Sequence, residues 1–451
     1  MADVSNLRAR VAGPVLVQGD DGYPEESLAW MRNFVHTPDV VVGAATSADV
    51  VEAVKFAAAN GLAVRIQGSG HGSHVAITDG VLITTTRLDA LEIDPATRIA
   101  TIGAGLTWDP VIAAAGEHRL APIAGASGTV GAVGFLLGGG MGPLVNRYGF
   151  GSDWVREFEV VLADGELVTA SAIDHPDLFW ALRGGKGGLG VVTSVKVELV
   201  PLATLYGGSL TFDAENIETA LRAWVAYLAT ADPGVTTSSA ILRMPDLPFI
   251  PEPIRGRTLL SVRFAYAGDS ATGEAFAAPL RAAAPVYIDA LAEIPASAIG
   301  TVHSDPPDPT VGWVSGRMLS NLDDDFVTTL LGFAGAGKPF PFVAVEIRAF
   351  GNAQATDVAG GSAVGGRGAK GSLNLVGVPN PELFATVIPG AAAALLGALA
   401  PWTSAENNVN FASGFATVEE YHGAWSPTIF DRLTEVKKKY DPNSLFVYGV
   451  H

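Results

Sequence analysis

Three patterns in this sequence predict an α+β protein of two domains. Short apolar strands alternate with helices and glycine-rich turns as far as Pro201. Longer strands of alternating polarity, separated by helices, run from about Leu205 to Ala405, which is the texture of an antiparallel sheet. A charged amphipathic helix then follows near the carboxy terminus, with the character of a cap on the first domain. The expected division is a first domain over 33–201 completed by 403–451, and a second over 202–402.

Taken in order, Val40-Val41-Val42 reads as a strand, and Ser47 is placed to cap a helix that buries Val50, Val51 and Val54. Gly61 ends that helix, since glycine reaches the left-handed conformation a C-terminus favours. A strand over 63–66 enters Gly68-Ser69-Gly70-His71-Gly72, strands over 81–83 and 99–102 follow, and a second glycine-dense stretch covers 125–142. Asp164-Gly165 between two apolar arms signals a hairpin over 160–168. A helix over 177–182 and a strand from Val191 to Leu199 close the block at Pro201.

In the second half, strands are expected over 238–244, 258–266, 342–350 and 372–376, with a helix over 217–228. Alternation over 342–350 puts Val343, Val345 and Ile347 on one face, Glu346 and Arg348 on the other. The Gly- and Ala-rich stretch 352–371 is expected to be a mobile loop or lid. Ser426-Pro427 starts the last helix, with Ile429, Leu433 and Val436 inward, and Asp441-Pro442 stops it.

Composition narrows the function. Twenty-eight basic against 46 acidic residues give a net charge of −18, which argues against nucleic acid and anionic membrane surfaces as partners. The chain has no cysteine, so disulfides, thiolate metal sites and cysteinyl cofactor links are excluded. No apolar run reaches the roughly 18 residues needed to span a bilayer, and the expectation is a soluble cytoplasmic protein acting on a small molecule. Several motif matches are decoys. Gly185-Lys186-Gly187-Gly188-Leu189-Gly190 fits a dinucleotide pattern but follows a helix and opens a strand, the reverse of the required order. Gly332 to Lys338 fits a phosphate loop, yet Pro339 stands where a Ser or Thr would hold magnesium. His71 and His74 lack a third ligand, so no metal site is expected, and Asp323-Asp324-Asp325 reads as a solvated helix start.

The glycine turn around His71 remains. Successive N–H groups there can converge on an anion beside one nucleophilic side chain, which is what a covalently held dinucleotide requires. The pattern extends through Thr101 to Gly105, Gly125 to Gly131, Leu137 to Gly142, Tyr148-Gly149, Asp177 to Gly185, Gly188 to Thr193 and Arg432 to Phe446. These blocks, in this order, resemble the berberine-bridge-enzyme-like flavin oxidases of the vanillyl-alcohol oxidase and p-cresol methylhydroxylase fold, in particular their 6-hydroxynicotine oxidase branch.

The resemblance implies FAD as cofactor, bonded through its 8α-methyl carbon to His71, a reasonable chemistry because a neutral imidazole is the available nucleophile at neutral pH. It implies FAD contacts from Arg65, Gly68, Ser69, Gly70 and Gly72, from Ser127, Gly128, Thr129, Val130 and Gly131, from Gly138 and Gly142, from Val192 toward the adenine, and from Asn408 and Asn410. Where many members carry a second, cysteinyl link, this chain has Ser127, so a single histidyl bond is expected. Val130 matches a position whose valine leaves oxygen access, implying an oxidase that releases hydrogen peroxide.

Phe411 stands where the family often carries a tyrosine base, and a phenyl ring cannot take a proton. That departure favours oxidation at a C–N carbon, since a neutral amine can release hydride and leave as an iminium without a base. Glu346 is the first substitute base, ahead of Tyr421 and Asn408; the competing reading of Glu346 is an ion pair with Arg348 or another basic neighbour on the sheet. The alternatives are an alcohol or sugar hydroxyl oxidase or dehydrogenase of the same fold, and a redox-silent flavoprotein acting as cyclase or binding protein. Substrate identity and oligomeric state are not encoded in any of these patterns.

Overall fold

In the computed structural model, which describes residues 3–248, 250–411 and 418–448, the strands Val40–Gly43 and Val81–Thr84 pair in parallel, with Val64–Gln67 on the far edge of Val81–Thr84. Every residue of the first two strands is buried, as expected of parallel strands covered on both faces. The helix Ser47–Asn60 makes the crossover. Thr46 rather than Ser47 caps it: the Thr46 hydroxyl accepts from Asp49 N–H while the Asp49 carboxylate reaches back to the Thr46 N–H, a reciprocal pair that Ser47 cannot form. Gly61 ends the helix at φ +63°, as expected.

A five-stranded antiparallel sheet packs beside it, in the order Leu91–Asp94, Ile99–Gly103, Val191–Glu198, Val155–Val161, Leu167–Ser171. The hairpin at Asp164-Gly165 is present. The core of this unit begins well ahead of residue 33: Val4, Leu7, Val11 and Val15 are part of it, and Val15–Leu16 pairs with Val41 and Val42. The helix Pro427–Tyr440, capped by Ser426, packs Leu433 and Val436 into the same core. Val64 then bonds the tail on both sides, its N–H donating to Leu445 and its carbonyl accepting from Val447, with Phe446 fully buried.

The second unit is an antiparallel sheet in the order Ile288–Asp289, Thr204–Asp213, Thr258–Tyr266, Val235–Arg243, Phe342–Ala349, Gly371–Gly377, Val314–Leu319, with Ala292–Pro295 also on Thr204–Asp213. Its apolar face packs on Ile217–Leu228, Ser270–Arg281, Asp324–Ala334 and Ile388–Ala398. Asp323 caps the third of these helices, accepting from Phe326 N–H.

Two expectations need correction. Val343 does not join the core of its strand: a register shift between Phe342 and Ala344 moves the alternation by one residue, so Phe342, Val345 and Ile347 face the helices. The stretch 352–371 is docked, not a free lid. Ala363 donates its N–H to Arg183, Val364 and Ala369 are buried, and Arg367 forms a buried ion pair with Asp153 of the first unit. Small residues here permit close packing, which composition alone does not distinguish from mobility. Among the described residues, no helix is long and apolar enough to cross a membrane.

Candidate active site

The strand Val64–Gln67 delivers the loop Gly68 to Gly72 against the loop Ser127 to Gly131: Ser69 Oγ accepts from Gly131 N–H at 3.1 Å, and His71 Nε2 lies 2.8 Å from Thr129 Oγ1. Gly70 has φ +74°, and a Cβ there would lie 2.6 Å from Ala29 Cα, so both conformation and space demand glycine. Among the described residues, none of the N–H groups of Gly68, Ser69, Gly70, His71 and Gly72, nor those of Ser127, Gly128 and Thr129, donates to a protein acceptor. N–H donors left free on two adjoining loops are able to hold an anion such as a pyrophosphate. Trp30 stacks on the His71 ring with centroids 3.8 Å apart. Burial lowers the His71 pKa to about 4, so its imidazole is neutral at physiological pH, and Thr129 occupies only one of its two nitrogens.

A third glycine stretch closes this side. A Cβ at Gly138 would lie 2.1 Å from Asn410 Oδ1, which marks how closely the tail approaches. Asn410 donates to Phe135 O at 2.9 Å and accepts from Lys186 Nζ at 2.6 Å, and Lys186 also donates to Gly134 O at 2.7 Å. Burial lowers the Lys186 pKa to about 8. Asn408 is buried, with Nδ2 directed at Gly365 O at 3.3 Å and Oδ1 accepting from Asn410 N–H at 3.1 Å.

Beyond Met141 and Gly142 lies a cavity whose opposite wall is the polar face of the antiparallel sheet, including Thr236, Ser238, Arg263 and Arg348, with His303 at its side. Glu346 lies beneath them, 2.7 Å from Arg263 Nη1 and 2.8 Å from Arg348 Nε. Burial alone would raise the Glu346 pKa, but Arg348 and Arg263 hold it down to about 2. His303 is pushed well below the ordinary histidine value by burial and by the same two guanidiniums, and neither ring nitrogen has a hydrogen-bond partner.

The loops at 68–72 and 127–131 thus come together, with Asn408, Asn410 and Gly138 beside Lys186. Four expected site residues stand differently. Arg65 ends in an ion pair with Asp79 at 2.5 Å and turns away from the loop it precedes. Glu346 is pinned between Arg348 and a second basic neighbour on the sheet, Arg263, as the ion-pair reading has it, and so is a poor proton acceptor. The Asn408 amide is committed to holding the tail. Tyr421, on the helix Val418–His422, packs against Trp425 with centroids 5.2 Å apart, lies outside the cavity lining, and burial raises its pKa to about 12. Val192 is buried in its strand, opposite Val160. Sequence reasoning missed Trp30, Lys186, Arg263 and His303. The first two carry no local signal, and the last two are linked to Glu346 only through strand register and a returning loop.

Backbone donors without protein acceptors on two loops, a neutral imidazole between them and a cavity on a sheet are the geometry expected of a protein that holds a nucleotide cofactor. Residues 38–171 match the FAD binding domain family, and residues 409–448 match the berberine and berberine-like family. The chain thus matches FAD-binding and berberine-like family models at its two ends. It is 32% identical over 204 residues to (R)-6-hydroxynicotine oxidase of Paenarthrobacter nicotinovorans, a stretch covering 44% of each chain, so the match spans less than half of that relative. The fold is shared with 6-hydroxy-D-nicotine oxidase from Arthrobacter nicotinovorans (TM-score 0.83, 22% identity, 99% of this chain and 98% of that one). It is shared equally with glucooligosaccharide oxidase from Acremonium strictum, which carries a 6-S-cysteinyl, 8α-N1-histidyl FAD (TM-score 0.82, 19% identity, 98% and 97%).

Proposed function

We propose that this protein is an FAD-dependent oxidase that removes hydride from a C–N or C–O carbon of a small, natural-product-like molecule, with His71 as the single covalent anchor of the cofactor. FAD, when bound, supplies the two-electron acceptor and the route by which oxygen becomes hydrogen peroxide. The single observation that carries the reading is the pair of loops whose N–H groups lack protein acceptors on either side of a neutral His71.

The residues divide the work. His71 Nε2 is engaged with Thr129 Oγ1, which leaves Nδ1 as the nitrogen open to the cofactor. Ser127 offers no thiol for a second link. Phe411 has no hydroxyl, and Glu346 stays ionised down to a pKa of about 2, which favours an amine whose own lone pair drives hydride loss. A second reading, oxidation of a hydroxyl, would place the substrate oxygen against His303 in the cavity wall, a weak base there because burial and the two arginines disfavour its protonated form. The cofactor unit is 33–201 with 403–451, extended by the segment before residue 33, and the substrate unit is 202–402.

Intact-mass analysis tests the anchor: the wild type carries the mass of FAD, and His71→Ala loses it. An undiminished adduct in that variant removes His71 from the role. Anaerobic mixing with candidate amines and alcohols tests the reaction, because an oxidase bleaches its flavin absorbance, whereas a redox-silent cyclase or binding protein leaves it yellow. Reoxidation in air no faster than with dye acceptors overturns oxygen as the acceptor.

A further inference from the structure

The floor of the sheet cavity carries more positive than negative charge. Antiparallel register sets Arg263, Ser238, Arg348 and Ser372 side by side on four adjacent strands. Glu346, two residues before Arg348 on the same face, is the one carboxylate within ion-pair distance of either guanidinium among the described residues. Two guanidiniums against one ion-paired carboxylate leave one positive charge without a direct partner. Asp305 makes no ion pair with either arginine but lies within electrostatic reach of the cluster: burial and Glu346 raise its pKa, and the two arginines lower it. His303, 3.6 Å from Glu346, is kept neutral first by burial and then by the same two arginines, so it adds no charge of its own to this wall.

The hydrogen-bonding capacity points the same way. Arg348 spends its Nε on Glu346 and rests its guanidinium 5.1 Å from the centroid of Phe411, while its two terminal nitrogens have no acceptor among the described residues. Ser238 Oγ and both nitrogens of His303 are buried without partners. An uncompensated cation together with orphan polar groups in one wall is costly unless a ligand completes them. The remaining walls include Met141, Val145, Phe264 and Phe350, an apolar lining around a partly open cavity of about 20 Å³.

We propose that this cavity takes a substrate bearing a carboxylate, held by the terminal nitrogens of Arg348 and flanked by His303 and Ser238, with its apolar body toward Met141 and Phe350. The planar guanidinium fork matches a carboxylate in two parallel hydrogen bonds, which a neutral amide or an amine cannot reproduce. The proposal rests on the reading of this cavity as the oxidase's substrate site.

Calorimetric titration of the FAD-loaded protein with benzoate, benzamide and benzylamine tests it without turnover. Benzoate is expected to bind at least about tenfold more tightly than benzamide, with benzylamine weakest. Arg348→Gln abolishes the preference, Arg348→Lys keeps part of it, and Ser238→Ala, which leaves the ion pairs intact, weakens benzoate by roughly threefold to tenfold. Flavin content and melting curves establish that each variant is folded. Equal affinity for benzoate and benzamide, no benzoate binding, or a preference unchanged in Arg348→Gln overturns the proposal. Failure of the oxidase reading is separate: anaerobic substrates then leave the flavin unbleached while benzoate selectivity persists.

Discussion

Around His71, the groups that face a ligand are backbone N–H donors on consecutive residues. On the antiparallel sheet they are the side chains of Ser238, Arg263, His303 and Arg348, drawn from four separate segments. The first region recognises through the main chain, so glycine is its instrument and His71 is the side chain on which it depends. The second recognises through charge, and each side chain holds another in place. A backbone cradle suits a cofactor that is the same in every member of a family. A side-chain wall suits a substrate that differs from one member to the next.

The contrast can be broken at either end. The largest effect is expected from His71→Ala, with complete loss of covalently retained flavin by mass, because no second nucleophile replaces it. Next is Glu346→Gln, which leaves two buried guanidiniums facing a neutral amide and should destabilise the fold by about 3–5 kcal/mol in chemical denaturation. Its pH dependence has a definite sign. The folded pKa, about 2, lies below the ordinary value of 4.5, so the carboxylate's contribution is full above pH 4.5 and is lost as pH falls toward 2. The stability gap between wild type and variant should therefore close across that window; a constant gap would mean the carboxylate is not held by the arginines.

Gly70→Ala follows. A strained positive φ and a clash with Ala29 predict about 1–3 kcal/mol of destabilisation and weaker FAD retention, read by melting with and without added cofactor. Thr129→Val removes one hydrogen bond from the His71 ring and should slow flavin attachment by roughly threefold to tenfold, followed as covalent mass gained on reconstitution. The smallest effect is expected of Tyr421→Phe, which should leave kcat/KM within about threefold. A hundredfold loss would return Tyr421 to the chemistry and place the base outside the sheet.

Much of the first region was legible because its determinants are local. A strand, a glycine turn and one histidine are consecutive in the chain, and Gly165, Gly61 and Ser426-Pro427 mark a hairpin, a helix end and a helix start by conformational preference alone. The misreadings arise where partners lie far apart. Thr46 displaced Ser47 through one reciprocal hydrogen bond with Asp49, and a single register shift removed Val343 from the core. The docking of 352–371 depends on Asp153, some two hundred residues away in the chain.

Residue order and composition were enough to define an α+β chain, its lack of thiol chemistry, and the imidazole on which the cofactor assignment turns. Each follows from a short-range rule of backbone conformation or from elemental content. That Glu346 is a captive anion, that His303 stands beside it, and that Arg348 keeps two free nitrogens were decided by folding. Strand register and a returning loop bring these charges together, and desolvation then sets their protonation.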